Sequence, residues 1–429
     1  MAISERSTSL AFRDAYRART PRSAALFERA TRVLPGGSTR TTVFAPPYPP
    51  YLAGGSGIRV EDVDGNTYRD FLGNYTSLIL GHAHPRVVDA VEQQVRRGSA
   101  FGAPGELEIA LAEELVRRID SVERVRFTNS GTEATMFAIR AARAFTGRSL
   151  IATFERAYHG THDTAMAGTP GIPDAVGDLV VTLPWDDLDG VGRALSGREA
   201  ELAAMVIEPV QGAGGVRAAS PEMLGGLRAI CDRAGALLIF DEVISFRVAP
   251  GGAQSVSGVR PDLTTLGKII GGGYPLAAFG GRADVMDRFD ARRPGALTHG
   301  GTFNGNPVGA AAGLATLAEL TPDRYDELAR RAERLRAAVA AGAARTGTNV
   351  RVDAVASLFQ VRLGDYTAAS AVATGTGAAD LFLGLLLEGF YLAPRGMGAI
   401  ATPASDADVD DLAEAIVKVA TRISETVVA

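Results

Sequence analysis

The stretch RVRFTNSGTEATMFAIRAARAFTGRSLIATF, residues 124–154, decides the fold. RVRFT and SLIATF are short apolar runs with the length and composition of strands. Between them, EATMFAIRAARAF places its apolar residues at helical spacing. Ser130 followed three residues later by Glu133 fits a capping box at the start of that helix. The unit is strand, turn, helix, strand.

Working outward, the same alternation runs from about 106 to 310. The runs AAMVIEPV, ALLIFDEV, DLTTLGK and LAAFGG are again apolar and short, with helical segments between them. Strands buried on both faces read as continuous apolar runs, and their alternation with helices implies an α/β fold with a mostly parallel sheet. Two runs end on acids, Glu208 and Asp241 with Glu242, and one on Lys268. Open α/β sheets hold their ligands at these carboxyl ends.

The flanks differ. Residues 8–34 read as a helix ending at Pro35-Gly36-Gly37. IRVEDVDGNTYRDF reads as a strand pair with a tight turn at Asp64-Gly65. An alanine-rich helix is predicted over roughly 309–345. It is followed by strand-like ASLFQVRL, a helix near 377–388, FYLAP and a final helix. The expected division is a helix-and-strand segment 1–75 belonging to a small domain, a large ligand-binding domain 76–310, and a small α+β domain 311–429.

Bulk numbers exclude several classes. With 429 residues, 46% hydrophobic and 22% charged, the chain has ordinary globular composition and can bury a core. Net charge is -5 with no long run of one sign, which argues against nucleic acid and anionic membrane as partners. No uncharged apolar stretch of about 18 residues is present. One cysteine, Cys231, in the helix-like run LGGLRAICDRAGA, reads as a buried thiol and fits a reducing, cytoplasmic setting. His82 and His84 flank a loop and read as structural. His162 has no acidic or cysteine cluster near it in sequence, so no metal site is expected.

Three motifs carry chemistry. Asn129-Ser130-Gly131-Thr132-Glu133 opens a helix after a strand, where free N–H groups and a partial positive charge suit a phosphate. Alone, it also fits a merely well-capped helix. Asp241 ends a buried run, where a carboxylate is costly unless paired or in a site. Alone, it also fits an acid facing water. Lys268 sits among apolar residues and glycines, and burial lowers an amine's pKa toward that of a nucleophile. Alone, it also fits a surface lysine. GKII is not a P-loop, since Ile269 stands where Ser or Thr is needed, and no strand-linked GxGxxG supports a nicotinamide site. Together, phosphate cradle, amine and acid are what pyridoxal 5'-phosphate requires.

The sequence resembles class III aminotransferases of fold type I over nearly its whole length. The resemblance is carried by NSGTEATMFAIRAARAFTGR, FERAYHG, VIEPVQG, LLIFDEV, TLGKIIGGGYP and GGTFNGNP. Within the class, GHAHP, FGAPGELE and YLAP are similar to glutamate-1-semialdehyde aminomutase and to the β-amino-acid transaminases related to it. The resemblance implies a seven-stranded, mostly parallel large-domain sheet. It implies that Lys268 carries the cofactor as a Schiff base and shuttles a proton. Asp241 would pair with the pyridine nitrogen, Val243 and Tyr158 would cover the two ring faces, and His159 would stand behind. Ser130, Gly131 and Thr132 would hold the phosphate, Glu208 would lie near the cofactor, and Thr302 would reach the phosphate of a neighbouring subunit in a homodimer. Where the mutases carry a glutamate after YLAP or YFAP, this chain has Arg395 and no acid until Asp406. That departure favours a transaminase. Arg40 is expected to grip a substrate carboxylate, with Arg395 assisting and Tyr75 lining the pocket. The donor is expected to be a β-amino acid and the acceptor 2-oxoglutarate or pyruvate. The alternatives are a mutase, or a non-catalytic module of the same fold.

Overall fold

In the computed structural model, which describes residues 2–364 and 376–428, the apolar runs of the central region form one seven-stranded sheet. The strands are β1 (Arg124–Thr128), β2 (Leu150–Phe154), β3 (Val180–Leu183), β4 (Leu202–Ile207), β5 (Leu237–Asp241), β6 (Leu263–Leu266) and β7 (Ala277–Gly281). Their order across the sheet is β1-β7-β6-β5-β4-β2-β3. Only β7 runs antiparallel to its neighbours. Both faces of the central strands are covered, so β4–β7 are buried along their whole length, whereas the edge strands β1 and β3 are partly exposed. Ile239, Val206 and Ala204 face the Gly131–Thr146 helix through Ala134, Phe137, Ala138 and Ala141. Leu238, Phe240, Met205 and Ile207 face the other way, packed with Met223, Leu224, Leu227 and the buried Cys231 of the Pro221–Ala234 helix. Burying one such side chain contributes about 1.5–3 kcal/mol, so slipping a strand by one residue, which swaps its faces, is strongly opposed.

This sheet belongs to a compact unit, Pro85–Tyr325; a second unit comprises Met1–His84 and Asp326–Ala429. In the second unit, Leu52–Ser56, Arg59–Asp62 and Thr67–Asp70 form an antiparallel sheet that Phe390–Tyr391 joins in parallel. Asp70 lies opposite Tyr391 in that pairing, which brings the YLAPRG segment beside the GNYT turn. A three-stranded sheet, Val350–Val355, Leu358–Leu363 and Met397–Ala399, completes the strands described there.

Several elements depart from the sequence reading. The helix expected over 8–34 is two helices, Ala2–Arg19 and Pro21–Thr31, and the alanine-rich helix is also two, Pro307–Glu319 and Pro322–Thr346. Both breaks fall at a proline, which lacks an N–H and pushes the preceding residue out of helical geometry. Thr20 duly has φ −130° and ψ 47°. The turn at Asp64-Gly65 spans four residues, because Asp62 bends it by accepting the N–H groups of Asp64 (3.0 Å) and Asn66 (2.9 Å). Strand β3, within GDLVVTLPW, was not among the runs read as strands; it is short and lies at the sheet edge.

Candidate active site

The pocket forms at the carboxyl ends of β5 and β6. Lys268 lies two residues past β6, with φ of +51°. A lysine keeps such a backbone only where its surroundings enforce it. Here the Pro307–Glu319 helix presses on the turn. A Cβ on Gly313 would lie 2.0 Å from the carbonyl oxygen of Ile270, and one on Gly272 would lie 2.4 Å from that of Ala312. Burial lowers the Lys268 pKa, opposed by the charges of Asp241 and Glu208.

Asp241, the last residue of β5, is buried and met by three donors. His159 Nδ1 donates to Oδ2 at 2.7 Å; Thr265 Oγ1 (3.0 Å) and the N–H of Val243 (3.1 Å) donate to Oδ1. For His159, burial disfavours the imidazolium, but the hydrogen bond and charge of Asp241, with Glu208, outweigh it and raise the pKa. Glu208 is likewise buried, and desolvation pushes its pKa up to about 7. Its two oxygens accept from the N–H groups of Tyr158 (3.0 Å) and Gly212 (3.1 Å).

Opposite stands the Gly131–Thr146 helix. Ser130 Oγ accepts from the N–H of Glu133 at 3.2 Å, as the expected capping box requires, but Glu133 accepts from the N–H of Asn129 at 2.8 Å, one residue before the cap, so only half of the box is formed. The first-turn N–H groups of Gly131 and Thr132 have no partner within the helix. A Cβ on Gly131 would come within 3.1 Å of a Val243 methyl, so glycine lets the cradle close on Val243. Ser130, Gly131, Thr132, Tyr158, His159, Glu208, Asp241, Val243 and Lys268 all line one cavity of about 270 Å³. Tyr158 is 48% exposed at its edge. Helix-end donors for a phosphate, a buried carboxylate for a ring cation and a desolvated amine fit pyridoxal phosphate.

Thr302 does not line this cavity. It is exposed and borders another of about 250 Å³ with Phe101, Glu108 and Phe303. Arg40, Tyr75 and Arg395 lie in the other unit, where they gather. Arg40 Cζ sits 5.7 Å from the centre of the Tyr75 ring, and its Nη1 donates to Asn74 Oδ1 at 3.0 Å. Burial raises the Tyr75 pKa, against a hydrogen bond to Thr42 and the charges of Arg40 and Arg395. Neither arginine is paired with a carboxylate among the described residues. Sequence reasoning missed Thr265, although TLGK was in view; its contact with Asp241 follows from the parallel register that sets the two opposite each other. It had Asn129 in its motif but not the bond by which its amide donates to Asn304 Oδ1 at 2.8 Å, and it missed the pocket-lining Tyr274.

Sheet order and pocket together are those of a pyridoxal-phosphate-dependent transferase of fold type I. Within that class the chain belongs to the class III aminotransferases, whose family profile matches residues 46–181 and 188–399. It is similar to glutamate-1-semialdehyde 2,1-aminomutase of Methanopyrus kandleri, with 44% identity over 358 residues, 80% of this chain and 83% of that protein. It is similar in structure to an omega-transaminase from Sphaerobacter thermophilus, with 44% identity, TM-score 0.89, and 93% and 98% of the two chains covered. A β-phenylalanine aminotransferase from Variovorax paradoxus matches at 38% identity, TM-score 0.90, covering 96% and 97%. Among the described residues no helix is long and apolar enough to cross a membrane.

Proposed function

We propose that this aminotransferase takes the amino group of a β-amino acid, or a similar carboxylate-bearing amine, and passes it to a 2-oxo acid such as 2-oxoglutarate or pyruvate. Pyridoxal phosphate, when bound, supplies an aldehyde for the amine and a ring that takes up the electrons of the breaking C–H bond. Lys268 Nζ would hold the cofactor covalently, yield its place to the donor amine, and then move the proton from the amine-bearing carbon as base and acid. Its burial favours the neutral amine that this task needs. Asp241 would face the ring nitrogen, fixed by His159 and Thr265. Ser130, Gly131 and Thr132 would receive the phosphate, while Val243 and Tyr158 would cover the ring. Glu208 would steady the Tyr158 segment through its backbone bond. Thr302 would serve the phosphate of a neighbouring subunit in a homodimer, working in the cytoplasm, where a lone buried thiol stays reduced.

One observation carries the choice of donor. Arg40 and Arg395 both act on Tyr75, with no carboxylate partner for either among the described residues and no acid between Arg395 and Asp406. Guanidinium forks with no carboxylate of their own suit a planar carboxylate. The likeness to the β-phenylalanine aminotransferase supports the same reading. The test mixes holoenzyme with β-phenylalanine or 3-aminobutyrate and 2-oxoglutarate. The expected result is loss of the cofactor's absorbance band with donor alone and glutamate formed once acceptor is added; no spectral change removes β-amino acids as donors. The 44% identity to the aminomutase favours a second reading, an intramolecular amino shift. Conversion of glutamate-1-semialdehyde without any acceptor would establish it.

A further inference from the structure

We infer that Asn74 is a specificity-determining residue that aims Arg40 at the donor's carboxylate from a strained turn built to place it. The inference rests on the carboxylate reading above. Asn74, Tyr75 and Thr76 are three successive residues with φ of 48°, 54° and 75°. Asparagine visits this left-handed region with ease, whereas a β-branched threonine there is an outlier. Such residues are strained and persist where the surroundings over-determine them.

The surroundings do so here. Asp70 Oδ1 accepts the N–H groups of Leu72 (2.8 Å) and Gly73 (2.9 Å), and Oδ2 takes His82 Nε2 at 2.7 Å. Tyr75 Oη donates to the carbonyl of Thr42 at 2.5 Å. Phe71 is bonded on both sides, its N–H to Tyr391 (2.9 Å) and its carbonyl from Ala399 (2.6 Å). What this framework delivers to Arg40 is a neutral acceptor, Asn74 Oδ1, at 3.0 Å from Nη1, with the Tyr75 ring against the guanidinium face. A guanidinium has five N–H donors in a planar fork. With one donor taken by an amide and one face by a ring, the remaining edge keeps its full charge for a carboxylate.

Asn74→Asp tests this. The variant keeps the side chain's shape, an acceptor oxygen and a tolerance for positive φ, but sets a charge 3.0 Å from Arg40, so it reports whether Arg40 at this place meets the donor, while the uncharged Asn74→Gly reports whether the amide itself is needed. The aspartate would become the counter-ion of Arg40 and compete with the donor. The measurement is kcat/KM of the holoenzyme for 3-amino-3-phenylpropanoate and for the corresponding uncharged amide, taken as a ratio. The ratio is expected to fall roughly tenfold or more, the scale of one charge-assisted hydrogen bond. Asn74→Gly fits the backbone without strain and adds no charge, so it is expected to stay folded with only a small drop in melting temperature while also lowering the ratio. A ratio unchanged in Asn74→Gly overturns the inference, whatever Asn74→Asp does. Arg40→Ala separates the two claims. If it collapses the ratio while Asn74→Gly does not, only the role of Asn74 falls. If it too leaves the ratio unchanged, the carboxylate reading falls with it.

Discussion

Asp241 is buried, and three donors from three separate segments converge on it: His159, Thr265 and the backbone of Val243. That convergence fixes where its oxygens point before any ligand arrives. Asn in its place would keep the shape and could still accept from His159, but would remove the negative charge. Asp241→Asn is therefore expected to bind cofactor through the helix-end cradle yet lose about a hundred- to a thousandfold in kcat, the scale of one preorganised electrostatic contact. Steady-state kinetics beside the cofactor's absorbance measure both halves; a loss under about tenfold would mean the charge is not used. Glu208 makes a pH prediction. Its folded-state pKa, raised from 4.5 to about 7 by burial, lies above the unfolded value. The folded state thus binds more protons between those limits, and the associated stability, full below 4.5, is lost as pH rises through about 7. Glu208→Gln cannot ionise, so in cofactor-free protein its melting temperature is expected to gain on the parent's between pH 4.5 and pH 8. A constant difference across that range would show that Glu208 does not titrate there.

At the scale of elements, the Lys268 turn depends on a helix that touches it by backbone. The Pro307–Glu319 helix has glycine and alanine where it meets the turn, and a methyl at Gly313 would strike the Ile270 carbonyl. Gly313→Ala is expected to destabilise by about 1–3 kcal/mol, as overpacking does, despite alanine's better helix propensity. It is also expected to weaken cofactor binding because the turn carrying Lys268 moves. Thermal unfolding and cofactor titration check the pair; a stabilised variant would mean the contact is loose. The sequence made some of this legible. Continuous apolar runs identified β2 and β4–β7, since a strand covered on both faces leaves a strong local signal, while in the edge strand β1 Arg124 and Arg126 interrupt the run. Strand β3 left a weak one, because it is four residues long and partly exposed at the edge. Ser130 with Glu133 announced the helix start in its own letters. Thr265 did not announce itself as a partner of Asp241, since that contact depends on how neighbouring strands register. Asn74 was unreadable for a different reason: nothing in GNYT marks three left-handed residues, which bonds to Asp70, Thr42 and Phe71 from distant segments enforce.

At the scale of the whole molecule, the proposed role of Thr302 calls for a second chain. Thr302 lies apart from the cavity that holds Lys268, exposed beside Phe303, which is 59% exposed, and near Phe101, which is 56% exposed. If Thr302 serves the phosphate of a neighbouring subunit, each site of the homodimer draws Lys268 from one chain and Thr302 from the other. Two damaged chains can then repair each other. A Lys268→Ala chain lacks the amine but still lends its threonine, and a Thr302→Ala chain lacks the threonine but keeps its lysine. Paired together they hold one site with both groups and one with neither. Each variant alone is expected to be impaired, the first without turnover and the second with weakened cofactor affinity. After unfolding and refolding as an equimolar mixture, random pairing makes about half the dimers mixed, each with one intact site, so activity should approach about a quarter of the parent's at limiting cofactor. Activity no greater than the sum of the separate variants would show that Thr302 acts within its own chain, or that no shared site forms.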